Sequence, residues 1–194
     1  ECWIPRQRLY LCLPNCNSMM IKGIEFVEFI SEAEIQQKIR ELATRVNEFY
    51  QGKSPVFLPV LNGSFMFAAD LLRHITLRSK VSFVKISSYE GLSSTGQLKT
   101  LIGLDESLFK QDVVIVEDIV DTGLTLDKIA AELKSLGTGS VEVVSLLRKK
   151  PAREKGIKVK FAGFDIENEF VLGYGLDYDG FGRNYRQLFK AATK

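Results

Sequence analysis

The segment that is most informative about the fold is Val113-Val-Ile-Val-Glu-Asp-Ile-Val-Asp-Thr-Gly-Leu-Thr125. Its first four residues are all apolar, as in a parallel strand that is buried on both faces. The next two, Glu117 and Asp118, place adjacent carboxylates at the predicted exposed end of this strand. A tight loop, residues 121–125, then opens a helix. The segment therefore predicts one strand–loop–helix unit of an α/β fold, with polar groups at the carboxyl end of the strand.

The loop Asp121-Thr-Gly-Leu-Thr125 has the composition of a phosphate-binding site. Backbone N–H groups at the start of a helix and the hydroxyls of Thr122 and Thr125 can hold a phosphate dianion. Gly123 allows the backbone to come close to that ligand. A carboxylate facing the phosphate would repel it, so we expect Asp121 to point towards a group that gives or takes a proton.

The paired acids Glu117 and Asp118 can accept hydrogen bonds from vicinal hydroxyls, such as a ribose diol, or bind magnesium. The alternative is that both acids only solvate a strand end and that Thr122 and Thr125 only cap a helix. Three acids and two threonines within nine residues after a buried strand make that alternative the weaker interpretation.

Other apolar runs alternate with helical patterns along the chain. A capping box, Ser31-Glu-Ala-Glu34, begins the first predicted helix. Two further helices are predicted, at residues 65–75 and from Thr125 to Gly137. Predicted strands cover residues 56–61, 81–88, 98–104, 113–116, 141–147, 159–164 and 170–174. Alternating strands and helices predict a parallel sheet with helices on both faces, and the loops starting at Asn62, Glu117, Arg148 and Tyr174 are expected to converge at one edge.

Composition limits the kinds of partner that the chain can have. The chain has 194 residues, 45% hydrophobic and 26% charged, with a formal net charge of +2. These values suit one globular domain and give no overall electrostatic case for a nucleic-acid or membrane partner. No apolar run approaches the roughly 20 residues that span a bilayer. Cysteines occur only at positions 2, 12 and 16, so disulfides are not expected to hold the fold, which favours the cytosol.

The first 19 residues lack core-like periodicity. An apolar patch at residues 9–13 is ended by Pro14, and it is too short for the core of a signal peptide. We therefore predict a non-native or disordered leader over residues 1–19 and a single domain over residues 20–194, with a natural start at Met19 or Met20.

Several other chemistries are disfavoured by the residues. His74 is the only histidine, and its place late in an amphipathic helix indicates a structural role, which argues against Ser/His/Asp or histidine–metal catalysis. There is no Walker loop, and the glycines at residues 173–182 do not have the dinucleotide-binding spacing.

The segment Glu117-Asp-Ile-Val-Asp-Thr-Gly123 resembles the phosphoribosyl-pyrophosphate signature of type I phosphoribosyltransferases, and it is similar to that of their hypoxanthine-guanine branch. The similarity extends from about Val56 to Phe189. It implies a central, mostly parallel sheet flanked by helices, with a small hood formed by the chain ends. It also implies transfer of the 5-phosphoribosyl group to hypoxanthine or guanine with Mg²⁺ as cofactor.

The resemblance implies roles for individual residues. Asp121 is the catalytic residue, which handles the proton at purine N7. The residues implied to bind phosphoribosyl pyrophosphate are Glu117, Asp118, Thr122, Gly123, Leu124, Thr125, Asn62, Gly63 and Arg183. Magnesium is implied to lie near Asp177, Glu117 and Asp118. Ser88 and Tyr89 open a loop that resembles the family's closing lid.

Purine recognition is implied for Lys149, Phe170, Val171 and Asp177. Lys149 resembles the lysine that meets the 6-oxo group, and Phe170 resembles the aromatic that stacks on the base. From residue pattern alone, Lys149 belongs to a basic run at residues 148–160, and such runs are usually solvated faces. Phe170 would by default be a core residue, and turn acids such as Asp177 commonly serve only structure.

Two positions depart from the family pattern. Asn62 stands where the family's pyrophosphate loop often has lysine or arginine, and Leu124 stands where lysine is common. The first departure concerns how tightly free pyrophosphate is held. The second should matter less, because backbone N–H groups supply most of a phosphate cradle.

Two alternative functions stay open at this point. One is a regulatory protein of the same fold that senses phosphoribosyl pyrophosphate and binds nucleic acid, supported only by the basic run at residues 148–160. The other is a transferase for adenine or a pyrimidine, for which Lys149 would be the wrong residue. The family resemblance further suggests small-molecule substrates and a homodimer or homotetramer.

Overall fold

The computed structural model describes residues 18–87, 99–102, 106–150 and 156–192. The helices in these ranges are α1 (Glu32–Phe49), α2 (Phe65–Arg73) and α3 (Leu124–Ser135), with a short 3₁₀ helix at Glu106–Leu108. The strands are β1 (Ser18–Ile21), β2 (Ile24–Ile30), β3 (Val56–Leu61), β4 (Lys80–Val81), β5 (Val84–Ser87), β6 (Lys99–Ile102), β7 (Asp112–Val120), β8 (Ser140–Lys149), β9 (Phe161–Ile166), β10 (Val171–Leu172) and β11 (Leu188–Ala191). None of the helices in this part of the chain combines the length and the apolar character needed to cross a membrane.

The central sheet has the strand order β6-β5-β3-β7-β8-β9, with β4 beside β3. Its pairings are parallel except for β5 with β6. Alternate residues of β7 serve opposite faces: Val114 and Val116 pack in the core that contains α1 and α2, whereas Val113 and Ile115 pack in the core that contains α3. The predicted parallel sheet with helices on both faces is therefore confirmed.

Local sequence signals explain where the helices begin and end. The Ser31 hydroxyl accepts a hydrogen bond from the Glu34 amide, and the Ser31 amide donates to the Glu34 carboxylate at 2.9 Å, which confirms the predicted capping box. Gly123 precedes α3 with φ +77°, and Gly137 follows it with φ +73°. Both glycines adopt left-handed backbone that other residues take up only at a cost.

The order of the strands sets the position of the binding edge. After β3 the chain builds β5 on one side of β3, and it then returns to build β7 on the other side. Such a reversal is the topological switch point at which open α/β sheets bind ligands, beyond the carboxyl ends of the strands. The loops that follow β3 and β7 therefore flank one crevice.

A second, antiparallel sheet has the order β1-β2-β11-β10 and unites both ends of the described chain. Its own small core contains Met19, Phe26, Leu172 and Phe189. This sheet corresponds to the predicted hood. Strands β1, β2 and β11 were not predicted individually from the sequence, because their charged and apolar residues follow no clear two-residue period.

Several predicted strand boundaries were wrong. Strand β7 continues beyond Val116 to Val120, because its parallel pairing with β8 extends to the pair Val120–Arg148. Glu117 and Asp118 thus lie within the strand, and Asp118 is only 6% exposed instead of standing at an exposed end. Backbone pairing to a central neighbour outweighs the polarity of these side chains.

The other boundary differences have the same origin. Strand β8 extends through Lys149, so the loop predicted to start at Arg148 begins after the strand. The predicted strand at residues 81–88 is divided into β4 and β5, both of which pair with β3. Strand β6 pairs antiparallel with β5, as expected for a strand that returns from the loop predicted at residues 89–97, which lie outside the described residues.

The predicted boundary between leader and domain falls inside β1. Residues 1–17 lie outside the described ranges, whereas Ser18 and Met19 pair with Val27 and Phe26. Met19 is 8% exposed and packs in the core of the hood. The leader itself stays a prediction, and Met19 is the residue at which its extent can be measured.

A chain that starts at Met20 is expected from the sequence to be as stable and active as the full chain. The burial of Met19 instead predicts a lower free energy of unfolding, by about 1.5–3 kcal/mol, the value of burying a methionine side chain. Urea unfolding of chains that start at Met19 and at Met20 distinguishes these expectations. Equal midpoints would show that Met19 contributes nothing and would support a boundary after residue 19.

Candidate active site

The loop after β7 borders a cavity of about 150 Å³. Residues 119–126, together with Val60 and Glu117, line this cavity. The Leu124 amide donates to the Thr122 hydroxyl at 3.5 Å, and Thr122 and Thr125 are both exposed. The cavity therefore lies at the first turn of α3, where amides and hydroxyls favour an anion.

The loop after β3 closes the opposite side of the crevice. The peptide bond between Leu61 and Asn62 is cis. Gly63 lies directly against the Asp118 carboxylate, so that a Cβ at position 63 would overlap it. Gly175 lies against the Gly63 carbonyl oxygen in the same manner. Three segments that are distant in sequence thus meet at glycine positions that leave no space for a side chain.

The paired acids of β7 form an electrostatically unfavourable pair. Burial raises the pKa of Glu117 well above its ordinary value, and the negative charge of Asp118 and a hydrogen bond with it add to this effect. Asp118 also accepts a hydrogen bond from the Ile119 amide at 2.9 Å. Hydrogen bonds from hydroxyl groups, or a nearby cation, would reduce the repulsion between these two carboxylates. The pair therefore suits the predicted contacts with a ribose diol or magnesium.

The carboxylates predicted to lie near magnesium do not form one cluster. Among the residues that the structure describes, no three His, Cys, Asp or Glu side chains are close enough to hold a metal together. Asp177 instead forms an ion pair with Arg183 and accepts from the Gly180 amide at 2.7 Å. Mg²⁺ commonly takes one or two carboxylates and completes its shell with water and substrate phosphates. The oxygen donors present fit an ion of that kind.

Lys149 connects the residues predicted to recognise the purine with the predicted catalytic residue Asp121 in the loop after β7. Its Nζ donates to Asp121 Oδ2 at 3.0 Å and to Asn168 Oδ1 at 3.1 Å. The Lys149 side chain is only 16% exposed, whereas that of Asp121 is 60% exposed. The structure therefore brings the predicted purine-recognition residue together with the predicted acid–base residue. It also adds Asn168, which no sequence signal identified.

Phe170 does not belong to the core. Its side chain is 49% exposed, and its ring contacts Phe26 at 6.1 Å and Tyr178 at 5.4 Å between centroids. The edge of the hood thus supports an aromatic ring that keeps much of its surface available for stacking. Val171 beside it is buried and pairs with Lys190 in β11. Phe26 and Tyr178 were missed because their contacts with Phe170 join separate parts of the hood.

Arg183 contacts the segment of the hood that packs on the loop after β3. Its guanidinium donates to the Gly175 carbonyl at 2.6 Å and pairs with Asp177. Because Gly175 contacts Gly63, this cation lies close to the loop that it was predicted to serve. Ser88 and Tyr89, the predicted start of the lid, lie outside the described residues.

The two departures from the family pattern occupy different positions in the site. Asn62 is exposed beside Gly63, so this turn carries an uncharged amide where a cation is common. Leu124 is 65% exposed in the first turn of α3, and its backbone amide already donates to Thr122. That backbone groups supply most of this cradle stays a prediction.

Comparison with known proteins identifies the class. The model of the phosphoribosyl transferase domain matches residues 30–179. The chain therefore belongs to the phosphoribosyltransferase family, as the signature at residues 117–123 predicted.

The particular relatives agree with the predicted branch. The hypoxanthine-guanine phosphoribosyltransferase of Lactococcus lactis is 42% identical over 86% of this chain and 89% of that protein. The hypoxanthine phosphoribosyltransferase of Escherichia coli is 43% identical over 82% of this chain and 89% of that protein. A crystal structure of a hypoxanthine-guanine phosphoribosyltransferase from Bacillus anthracis, with HEPES in its active site, has a TM-score of 0.78 and 35% identity, covering 86% of this chain and 96% of that chain.

The phosphate cradle can be tested by replacing one hydroxyl. Thr125→Val is expected to raise the KM for phosphoribosyl pyrophosphate more than the KM for the base, because a donor to a charged ligand is lost at a cost of about 1.5–3 kcal/mol. Steady-state kinetics with each substrate varied in turn measures the two values. Thr44→Val is a matched control, since Thr44 is also an exposed helical threonine, and its hydroxyl donates to the Arg40 carbonyl within α1. Equal effects on both substrates would contradict the assignment of the cradle.

Proposed function

We propose that this protein transfers the 5-phosphoribosyl group from phosphoribosyl pyrophosphate to hypoxanthine or guanine, giving IMP or GMP and pyrophosphate in purine salvage. The observation that carries the proposal is the contact between Lys149 and Asp121 at the edge of the phosphate-loop cavity. This contact supports a site in which a purine-recognition group and an acid–base group act next to a bound sugar phosphate. The relatives named above support the same reaction.

The sugar phosphate is held by the residues that border the cavity. Backbone amides and hydroxyls at Thr122 and Thr125 bind the 5-phosphate, while Glu117 and Asp118 accept hydrogen bonds from the ribose hydroxyls. Holding the anomeric carbon in line between purine N9 and pyrophosphate lowers the barrier by positioning. The bond from the anomeric carbon to pyrophosphate breaks and the bond to N9 forms, while Asp121 accepts or holds the proton at N7.

Magnesium is the cofactor of the proposed reaction, and substrate oxygens would hold it together with Asp177 or with the pair Glu117 and Asp118, because these three carboxylates do not form one cluster. When bound, it neutralises charge on the pyrophosphate leaving group, which otherwise meets these acids. Asn62, Gly63 and Arg183 form the protein side of the pyrophosphate site. The close packing of Gly63 against Asp118 and Gly175 supports a shared site for these loops.

The purine lies between the hood and the end of β8. Lys149 donates to its 6-oxo group, Phe170 stacks on its ring, and the Val171 backbone and Asp177 contact its edge. The exposed ring of Phe170 and the inward direction of Lys149 towards Asp121 support this arrangement. Closure of the loop that begins at Ser88 and Tyr89 would exclude water from a reactive ribosyl cation.

The cellular setting follows from the sequence and the family. We place the enzyme in the cytosol, because its few cysteines indicate no disulfide-dependent fold. A homodimer or homotetramer is the assembly that the family resemblance favours. The substrates are small molecules, and neither nucleic acid nor membrane is required.

The nucleic-acid alternative rests on the basic run at residues 148–160, of which the structure describes residues 148–150 and 156–160. Arg148 and Lys150 pair with Asp165 and Glu167, and Lys160 pairs with Glu142. Cations that are already neutralised by neighbouring carboxylates are a poor surface for a polyanion. The adenine alternative is disfavoured because an ammonium such as that of Lys149 has donors only.

A pyrophosphate-release assay across hypoxanthine, guanine, xanthine, adenine and pyrimidines, with and without Mg²⁺, tests the proposed function. Release is expected with hypoxanthine or guanine and only with the metal present. Release with none of the bases would favour a sensor of phosphoribosyl pyrophosphate, and release with adenine or a pyrimidine would change the substrate class.

A further inference from the structure

We propose that Asn168 is a positioning residue for purine recognition, whose side-chain oxygen holds the Lys149 ammonium at the place where it meets the 6-oxo group. The proposal rests on the proposed function, in which Lys149 contacts the base. It adds a residue from the loop after β9 to a site otherwise built from β7, β8 and the hood.

The register of β8 and β9 creates the contact. Lys149 is the last residue of β8 and pairs with Ile166, the last residue of β9. Two residues further, the chain bends at Asn168, and its Oδ1 accepts from Lys149 Nζ at 3.1 Å. The loop after β9 therefore reaches across the end of β8 on the side that faces Asp121.

The neighbours of Lys149 show a different arrangement. Arg148 pairs with Asp165 and Lys150 pairs with Glu167, so both cations meet carboxylates of β9 and its following loop. Successive side chains of an extended chain alternate between faces, which directs Lys149 away from its two neighbours. Lys149 is the least exposed of these three cations, at 16% against 37% and 62%. The Lys149 ammonium is thus held in place by neighbouring side chains and does not lie on a solvated face.

The hydrogen-bond donors of the Lys149 ammonium show what Asn168 contributes. An ammonium has three N–H donors; within the described part of the chain one goes to Asp121 and one to Asn168, which leaves one for a ligand. In the proposed proton transfer Asp121 also interacts with purine N7, so its hydrogen bond to Lys149 competes with that task. Asn168 contacts the Lys149 ammonium from the loop after β9, so it can keep this hydrogen bond while Asp121 interacts with N7. A lysine held in this manner loses less conformational freedom when the base binds.

Removal of the amide is the first test. Asn168→Ala is expected to raise the KM for hypoxanthine about threefold to tenfold, the effect of losing one partly exposed hydrogen bond. The KM for phosphoribosyl pyrophosphate and the melting temperature are expected to stay unchanged, because Asn168 is exposed and lies outside helices and strands. Asn168→Asp keeps an acceptor oxygen and is expected to remain within about twofold of the wild type.

Glu167→Ala is the matched control. It removes the neighbouring contact between the same loop and the end of β8, at Lys150, without touching Lys149. This variant is expected to leave the KM for hypoxanthine unchanged. An equal rise in Glu167→Ala and Asn168→Ala would mean that the loop acts as a whole, and it would overturn the specific role of Asn168.

A double-mutant cycle with Lys149→Met separates positioning from direct binding. In the Lys149→Met background, Asn168→Ala is expected to cause no further rise in the KM for hypoxanthine, because the two residues act through one contact. The same rise in both backgrounds would overturn the proposal. If Lys149→Met impairs use of hypoxanthine but Asn168→Ala does not, only the role of Asn168 fails. If Lys149→Met has no effect, the proposed purine contact itself fails.

Discussion

Asp121→Asn is expected to lower kcat by about 10²–10⁴-fold, the range for loss of an acid–base group. Asparagine has the shape of aspartate and keeps an oxygen that can accept the Lys149 hydrogen bond, observed at 3.0 Å. It has no basic oxygen to take a proton at neutral pH. Because Asp121 is 60% exposed, the exchange should leave the fold and the binding of phosphoribosyl pyrophosphate intact.

Single-turnover kinetics and equilibrium binding of phosphoribosyl pyrophosphate distinguish chemistry from binding in this variant. Asp165→Asn is the matched control, because Asp165 also pairs with a cation of β8, Arg148, but lies away from the cavity. Its kcat is expected to equal that of the wild type. Unchanged turnover in Asp121→Asn would remove Asp121 from the mechanism.

Lys149→Met is expected to remove most of the preference for 6-oxopurines over adenine. An ammonium pairs with a 6-oxo acceptor but faces another donor when the base carries a 6-amino group, and it then loses hydration without compensation. Sites built around such a bond discriminate by roughly 10⁴–10⁵-fold. The low exposure of Lys149, 16%, makes water a poor substitute for that contact. Phe170 should add affinity with little selectivity, since stacking accepts any purine.

The measurement is kcat/KM for hypoxanthine, guanine and adenine in the wild type and in Lys149→Met. Lys150→Met is the matched control, because Lys150 is the next residue but is 62% exposed and pairs with Glu167. Its base preference is expected to be that of the wild type. Comparable use of adenine and hypoxanthine by the wild type would refute the substrate assignment. An unchanged ratio in Lys149→Met would leave the substrate class but remove Lys149 as its cause.

The elements that the sequence predicted well are those with a local cause. The capping box at Ser31, the glycine end of α3 and the apolar strand at Val56–Leu61 each depend on neighbouring residues, and each occurs where it was predicted. The strand–loop–helix unit around Gly123 is of the same kind. The loops that begin at Asn62 and Tyr174 also meet, although Tyr174 follows β10 of the antiparallel hood sheet and not a strand of the parallel sheet.

The elements that were missed depend on distant partners. Strand β2 pairs with β11 from the other end of the chain, and Asp118 is buried because Gly63 of another loop lies against it. The sequence around a polar side chain does not show whether a distant segment of the chain will pack against it. The length of β7 was underestimated for the same reason, since its last residues are held by pairing with β8.

The sequence by itself determined the fold class, the strand–loop–helix unit around Gly123 and the family, because apolar periodicity, caps and a compact motif each depend on adjacent residues. The residue pattern alone could not distinguish Lys149 from the other cations of its basic run, and the family resemblance named Lys149 without the contacts that it makes. Only the tertiary structure decided this, through the register of β7, β8 and β9, which turns Lys149 to Asp121 and Asn168. A shift of one residue in that register would exchange the two faces of the strand and place Lys149 among the surface ion pairs.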